Sequence, residues 1–248
     1  MKIKPFLLTL LSSVYLLTGC SSVPTTPTGF EKKIVESEKL NFVIWEKAGI
    51  QPQETLRFYI EGNGNPNPKK PIALSLAKED SYNNIIVLTR PCQYVQNKIC
   101  QNTDIWKTER YNPEIIEQIQ EVITFFIKKH KAKNIEFVAY SDAAPIAFIL
   151  AQRLGGTKKI ITIAGVLDID SYAKQNDLPS FKNAQNLTGM KNFVAQIPQI
   201  HYIGSEDTVV TRSMTERFIS KLNNPKDITL KIVHGFDHQD WDNITLKY

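Results

Sequence analysis

The feature that most constrains this chain is an alternation running from residue 41 to residue 235. Short apolar runs of strand character, "NFVIWEKA" (41–48), "LRFYIEG" (56–62) and "NNIIVLTR" (83–90), precede "NPEIIEQIQEVITFFIKKH" (112–130), where apolar residues recur at helical spacing. In that helix Asn112 is placed to cap, Pro113 suits the first helical position, and Ile115, Ile116, Ile119, Val122, Ile123 and Phe126 line one face. Strand 134–140, helix 142–154 and strand "KKIITIAG" (158–165) follow. After an irregular, polar stretch at 166–198 come strand "QIHYIG" (199–204), helix 211–222 and strand "ITLKIVHG" (228–235). Short apolar strands alternating with helices predict an α/β fold with a doubly wound, mostly parallel sheet. In such sheets the functional loops sit at the carboxyl ends of the strands, so only residues at those ends are candidates for chemistry. A length of 248 residues, 42% hydrophobic and 22% charged, suits one globular domain with a sizeable core.

The first twenty residues, "MKIKPFLLTLLSSVYLLTGC", have a charged start, an apolar run and small residues before Cys20. That pattern reads as a secretory leader, too short and too early for a spanning helix. Leu17-Thr18-Gly19-Cys20 is similar to a bacterial lipobox, which implies cleavage before Cys20 and acylation of its thiol and new amino group. At about 0.8 kcal/mol per buried CH₂, two or three acyl chains make a durable membrane anchor. Ser21 at the next position is what lipoproteins sorted to an outer membrane usually carry, so the expected location is the outer membrane, facing the periplasm. Residues 21–29, "SSVPTTPTG", read as a tether. The chain thus divides into a leader (1–19), the lipidated Cys20 with its tether (20–35) and a domain (36–248).

Loss of Lys2 and Lys4 with the leader leaves 28 basic residues against 25 acidic, a net charge of about +3. The lysines read as scattered, and nothing in their distribution supports nucleic-acid binding. With Cys20 lipidated, Cys92 and Cys100 remain, and in an exported chain two cysteines this close are expected to form a disulfide. No further His or Cys lies near them to make a metal site.

Four strand ends carry polar residues: "EGNGNP" (61–66), Ser141, "GSEDTVV" (204–210) with Asp207, and "HGFDHQDW" (234–241) with His234 and His238. Serine, then acid, then histidine is the chain order of the α/β-hydrolase triad. Through "YIEGNGNP", "RPCQY", "AYSDAA", "IAGVLD", "GSEDTVV" and "GFDHQDW" the chain resembles the α/β-hydrolase superfamily, and within it a group of small bacterial lipoproteins. The resemblance spans most of residues 56–241.

The resemblance implies a nucleophile elbow at Ser141, a turn so tight that the residues two before and two after must be small. Ala139 and Ala143 meet that size requirement, with the backbone strain falling mainly on Ser141. Asp142 departs from the pattern, because a carboxylate there opposes the oxyanion unless it points to solvent. Asp207, in a Gly-x-x-Asp turn, is the expected acid, with Asp168 ranked second. His238, in a Gly-x-x-His loop, is the expected base, ahead of His234, which ends a strand. His130, at a helix end, and His201, within a strand, need no functional reading. The backbone N–H groups of Asn63 and Asp142 are the expected oxyanion donors, with Glu61 bracing the loop. Each residue has a plain alternative: Ser141 as a helix cap, Asp207 as a turn aspartate, "EGNGNP" as a simple turn. Two functions therefore stand at this point. One is a lipid-anchored monomeric serine hydrolase, acting without cofactor or metal on an ester, thioester or amide. The other is a catalytically silent domain of the same fold that binds a ligand or partner at the envelope.

Overall fold

The structure is a computed structural model and describes residues 24–49, 54–62, 68, 70–95, 98–105 and 107–246. Cys20 and the leader lie outside the described residues. One eight-stranded sheet organises the domain: β1 (Glu31–Glu36), β2 (Asn41–Lys47), β3 (Thr55–Ile60), β4 (Ile85–Leu88), β5 (Asn134–Tyr140), β6 (Thr157–Ile163), β7 (Gln199–Gly204) and β8 (Ile228–Val233). Their order across the sheet is β1-β2-β4-β3-β5-β6-β7-β8. The β1–β2 and β2–β4 pairs are antiparallel and every other pair is parallel. The helices are α1 (Ile72–Glu79), α2 (Pro113–His130), α3 (Ala144–Leu154), α4 (Ile169–Gln175), α5 (Lys191–Val194) and α6 (Arg212–Ile219).

The central strands are largely apolar because both faces of the sheet are covered, with Arg57 of β3 paired to Glu136 of β5 at 2.7 Å near their starts. Side chains alternate between two cores: Phe42, Ile44, Phe58, Ile86 and Phe137 join one with α2 and α3, while Val43, Trp45, Tyr59, Val87 and Val138 join another with α1 and Trp241. The start of α2 is built as its sequence predicts, with Asn112 accepting from Glu114 N at 3.0 Å and Pro113 at the first helical position. Its apolar stripe is buried except for Ile115, which is only partly so.

Three regions differ from the sequence reading. Residues 31–35, expected in the tether, belong to β1, an edge strand whose charged "EKKIVE" hides the pairing in register with β2. Helix α1 was not expected at all. It has no side-chain cap and is only eight residues long, with Ile72, Ala73, Leu74, Leu76 and Ala77 buried and Ser75, Lys78 and Glu79 on the opposite face, too short a run for its period to stand out. The stretch 166–198, read as irregular, contains α4, a short 3₁₀ turn (Leu187–Met190) and α5, which bury Tyr172, Leu187, Met190 and Val194. Cys92 and Cys100 form the expected disulfide, closing the turn after β4.

Candidate active site

The strand β5 ends at Tyr140, and the chain turns sharply through Ser141 into a 3₁₀ turn (Ser141–Ala143) and then α3. Ser141 has φ +53°, a left-handed conformation that costs a non-glycine residue on the order of 1–3 kcal/mol. Surrounding contacts hold it there. Val166 N donates to Ser141 O at 3.0 Å, and Ala139 and Ala143 are fully buried against the sheet. Gly62, at the end of β3, passes so close that a Cβ there would lie 2.9 Å from the Tyr140 ring and 3.3 Å from Ser141 Cβ.

Three side chains expected to act together are brought together. Ser141 Oγ lies 2.9 Å from His238 Nε2, and His238 Nδ1 lies 2.9 Å from Asp207 Oδ2. Asp207 is buried, and its Oδ1 accepts from Val209 N at 2.9 Å and Val210 N at 2.8 Å, which fixes the carboxylate. The loop carrying His238 is pinned twice. Tyr140 Oη donates to His238 O at 2.8 Å, and a Cβ at Gly204 would lie 2.1 Å from Phe236 O, so only glycine admits that crossing. With Nδ1–H donated to Asp207, Nε2 is free to accept the serine proton.

The alternatives fall elsewhere. Asp168 caps α4, accepting from Ser171 N at 3.2 Å and from Ser171 Oγ at 2.9 Å, and is held by Asn186. His234 is exposed just beyond β8. His130 meets Glu46 Oε1 at 2.7 Å, and His201 is enclosed in the sheet. Asn63 lies outside the described residues. Its neighbour Gly62 donates its N–H to Glu61 Oε1 at 3.1 Å, and Ala73 N donates to Glu61 Oε2 at 2.9 Å, so Glu61 ties the end of β3 to the start of α1. Burial pushes the Glu61 carboxyl up to about 8 against these two donors, with the Asp142 charge acting in the same direction, so it is largely uncharged at neutral pH.

Asp142 corrects the sequence reading. Its side chain does not point to solvent and is not unpaired: it is buried, 3.1 Å from Arg110 Nη1 and 3.7 Å from Arg90 Nη1. Nothing in the sequence marks either arginine as a site residue, nor Gln93, Tyr140 or Tyr172. Arg90 and Gln93 lie in the "RPCQY" stretch, where Gln93 Nε2 donates to Gly62 O at 3.1 Å. Arg110 carries no local signal, since its role depends on a partner 32 residues away. A cleft of about 720 Å³ opens over Ser141 and His238, with Arg110, Tyr172, Leu178 and Asp240 among its walls. Among the described residues, no group of three or more His, Cys, Asp or Glu side chains is placed to hold a metal ion.

A strand, a strained serine and a helix at the carboxyl edge of a mostly parallel sheet define an α/β protein with a tight strand–serine–helix turn. Solved structures share that fold. An esterase of Pyrococcus furiosus superposes with a TM-score of 0.60 at 15% identity, covering 84% of each chain. Est1E from Butyrivibrio proteoclasticus gives 0.60 at 11% identity over 84% of this chain and 90% of that one. An alpha-beta serine hydrolase homologue from Coxiella burnetii gives 0.57 at 11% identity over 84% and 88%. No protein-family model and no curated protein matches the sequence. The fold of this chain is that of the α/β-hydrolases.

Proposed function

We propose that this protein is a serine hydrolase that cleaves an ester, thioester or amide. The observation that carries the reading is the continuous Ser141–His238–Asp207 series, with both contacts at 2.9 Å, opening on a cleft. Ser141 Oγ attacks the acyl carbon as its proton passes to His238 Nε2, and the carbonyl electron pair moves onto oxygen. The resulting oxyanion is bound by the backbone N–H of Asp142, and by that of Asn63 as the sequence suggests. Collapse expels the leaving group, which takes the proton from His238. Water then attacks the acyl-enzyme, gives its proton to His238, and releases the acid as Ser141 is reprotonated. Asp207 keeps the imidazole in the required tautomer and balances the imidazolium that forms. The charged walls of the cleft, Arg110 and Asp240 among them, favour a compact polar substrate over a long acyl chain.

The leader and "LTGC" support a lipid anchor on Cys20, and Ser21 supports an outer-membrane location facing the periplasm. No helix among the described residues is long and apolar enough to cross a membrane. A fluorophosphonate probe is expected to label wild type at Ser141 and to leave Ser141→Ala unlabelled, while wild type hydrolyses a short activated ester. A folded wild type inert to both would make the protein a binding domain instead.

A further inference from the structure

Asp142 is chemically the least expected residue beside a nucleophilic serine. Its own N–H is the expected oxyanion donor, so its carboxylate sits a few bonds from the oxygen that turns negative. A like charge that close raises the barrier unless it is cancelled. Two guanidinium groups stand against this one carboxylate, and the cluster carries a formal charge of +1.

The two arginines differ in kind. Arg90 is fully buried; its Nη2 donates to Arg110 O at 2.6 Å, while Nε and Nη1 have no hydrogen-bond partner among the described residues. It is a fixed charge of the interior. Arg110 lines the cleft together with Ser141 and His238. Its Nε donates to Lys107 O at 3.0 Å, its guanidinium lies 5.2 Å from the Phe181 ring centre, and its Nη1 meets Asp142 Oδ2 at 3.1 Å. Resting on the hydrolase reading above, we propose that Arg110 is a positioning residue of the site, cancelling the Asp142 carboxylate so that the elbow meets the forming oxyanion with a net positive field.

The charge count makes the idea separable from a packing role. Replacing Arg110 by Gln takes the cluster from +1 to 0, and adding Asp142→Asn returns it to +1 without restoring any contact of Arg110. His238 senses the same change, because negative charge nearby favours imidazolium and positive charge opposes it. The other titratable groups near that imidazole are Asp207 bonded to it, Tyr140 tilted against it, Asp237 next to it in the chain, and Glu61, Lys70, Tyr172, Asp240 and Asp242 lining the same cleft; these are the same in every variant.

The test measures kcat and KM for p-nitrophenyl acetate, their pH profile, and the His238 imidazole titration by NMR on the purified full chain. Arg110→Gln is expected to lower kcat by about 10- to 100-fold with KM little moved, and to shift the His238 titration and the acid limb of kcat/KM to higher pH. Arg110→Gln/Asp142→Asn should regain most of the rate and bring both titrations back, and Arg110→Lys should stay within a few-fold of wild type. A double variant as slow or as poorly folded as Arg110→Gln, or a His238 titration that does not move, overturns the proposal. Should wild type itself lack esterase activity and probe labelling, the hydrolase reading has failed, and the NMR titration still decides whether Arg110 cancels Asp142.

Discussion

At the carboxyl edge of the sheet, Ser141 Oγ meets His238 Nε2 at 2.9 Å and His238 Nδ1 meets Asp207 Oδ2 at 2.9 Å. Within the sheet, Thr162 Oγ1 meets His201 Nδ1 at 2.7 Å and His201 Nε2 meets Gln199 Oε1 at 3.0 Å. Both are a hydroxyl, an imidazole and an oxygen acceptor in series. They differ in the charge of the last member and in access. His201 has no exposure and ends on a neutral amide, and burial pushes its imidazole down to about 4. The His238 side chain is 14% exposed, opens on the cleft and ends on a buried carboxylate. An imidazolium can be accommodated in the second setting and not in the first. A hydroxyl–imidazole contact is therefore common structural material; a counter-charge behind it, a strained hydroxyl in front and a route for substrate are what separate a site from a core.

That contrast can be broken by substitution. Ser141→Ala should remove about a millionfold in kcat toward an activated ester, since members of such a unit fail together. Its counterpart Thr162→Val should leave the kcat of folded protein unchanged. Asp207→Asn turns the first series into a likeness of the second by ending it on an amide. It should cost about ten-thousandfold in kcat, through the wrong histidine tautomer, while Ser141 stays in place by crystallography.

Smaller effects test the core series. His201→Leu leaves the Thr162 hydroxyl and the Gln199 carbonyl without their partner, and should lower unfolding free energy in urea by on the order of 2–4 kcal/mol with kcat intact. The smallest effect is a slope. Folded His201 titrates near 4, below the ordinary 6.5, so its neutral form is preferred by the fold. Above about pH 6.5 that preference costs nothing; as pH falls toward 4 the unfolded chain gains a proton the folded one refuses, and stability drops by up to one proton's worth of slope, levelling below 4. Urea midpoints of wild type and His201→Leu should diverge least at acid pH and most above pH 6.5. Parallel curves across that range would place His201 in an environment that tolerates its charge.

Much of the fold was legible because its signals are local. Alternation in "NIEFVAY" and helical spacing in "APIAFILAQRL" mark β5 and α3 without reference to the rest of the chain. Asn112-Pro113 marks the start of α2 in the same way. Strand β1 and helix α1 escaped because one carries charges and the other is eight residues long and uncapped, and each is stabilised by the sheet it joins. At the site, the order Ser141, Asp207, His238 narrowed the candidates, but Asp207 and Asp168 looked alike as acids. Only the packing of the loop after β7 against that after β8, at the Gly204–Phe236 crossing, puts one of them on His238.

By itself, then, the sequence determined the alternating layers, the strand-serine-helix junction and the pair of cysteines close enough to bridge, because each depends on periodicity or spacing over a few residues. The tertiary structure alone decided what Asp142 is. As a sequence it is a charge misplaced beside Ser141, the proposed nucleophile; folded, it is buried between Arg90 and Arg110, residues brought back from distant parts of the chain. The physical reason is range: backbone periodicity is set by neighbours along the chain, whereas the effect of a buried charge is set by whichever counter-charges the fold returns to within a few ångströms of it.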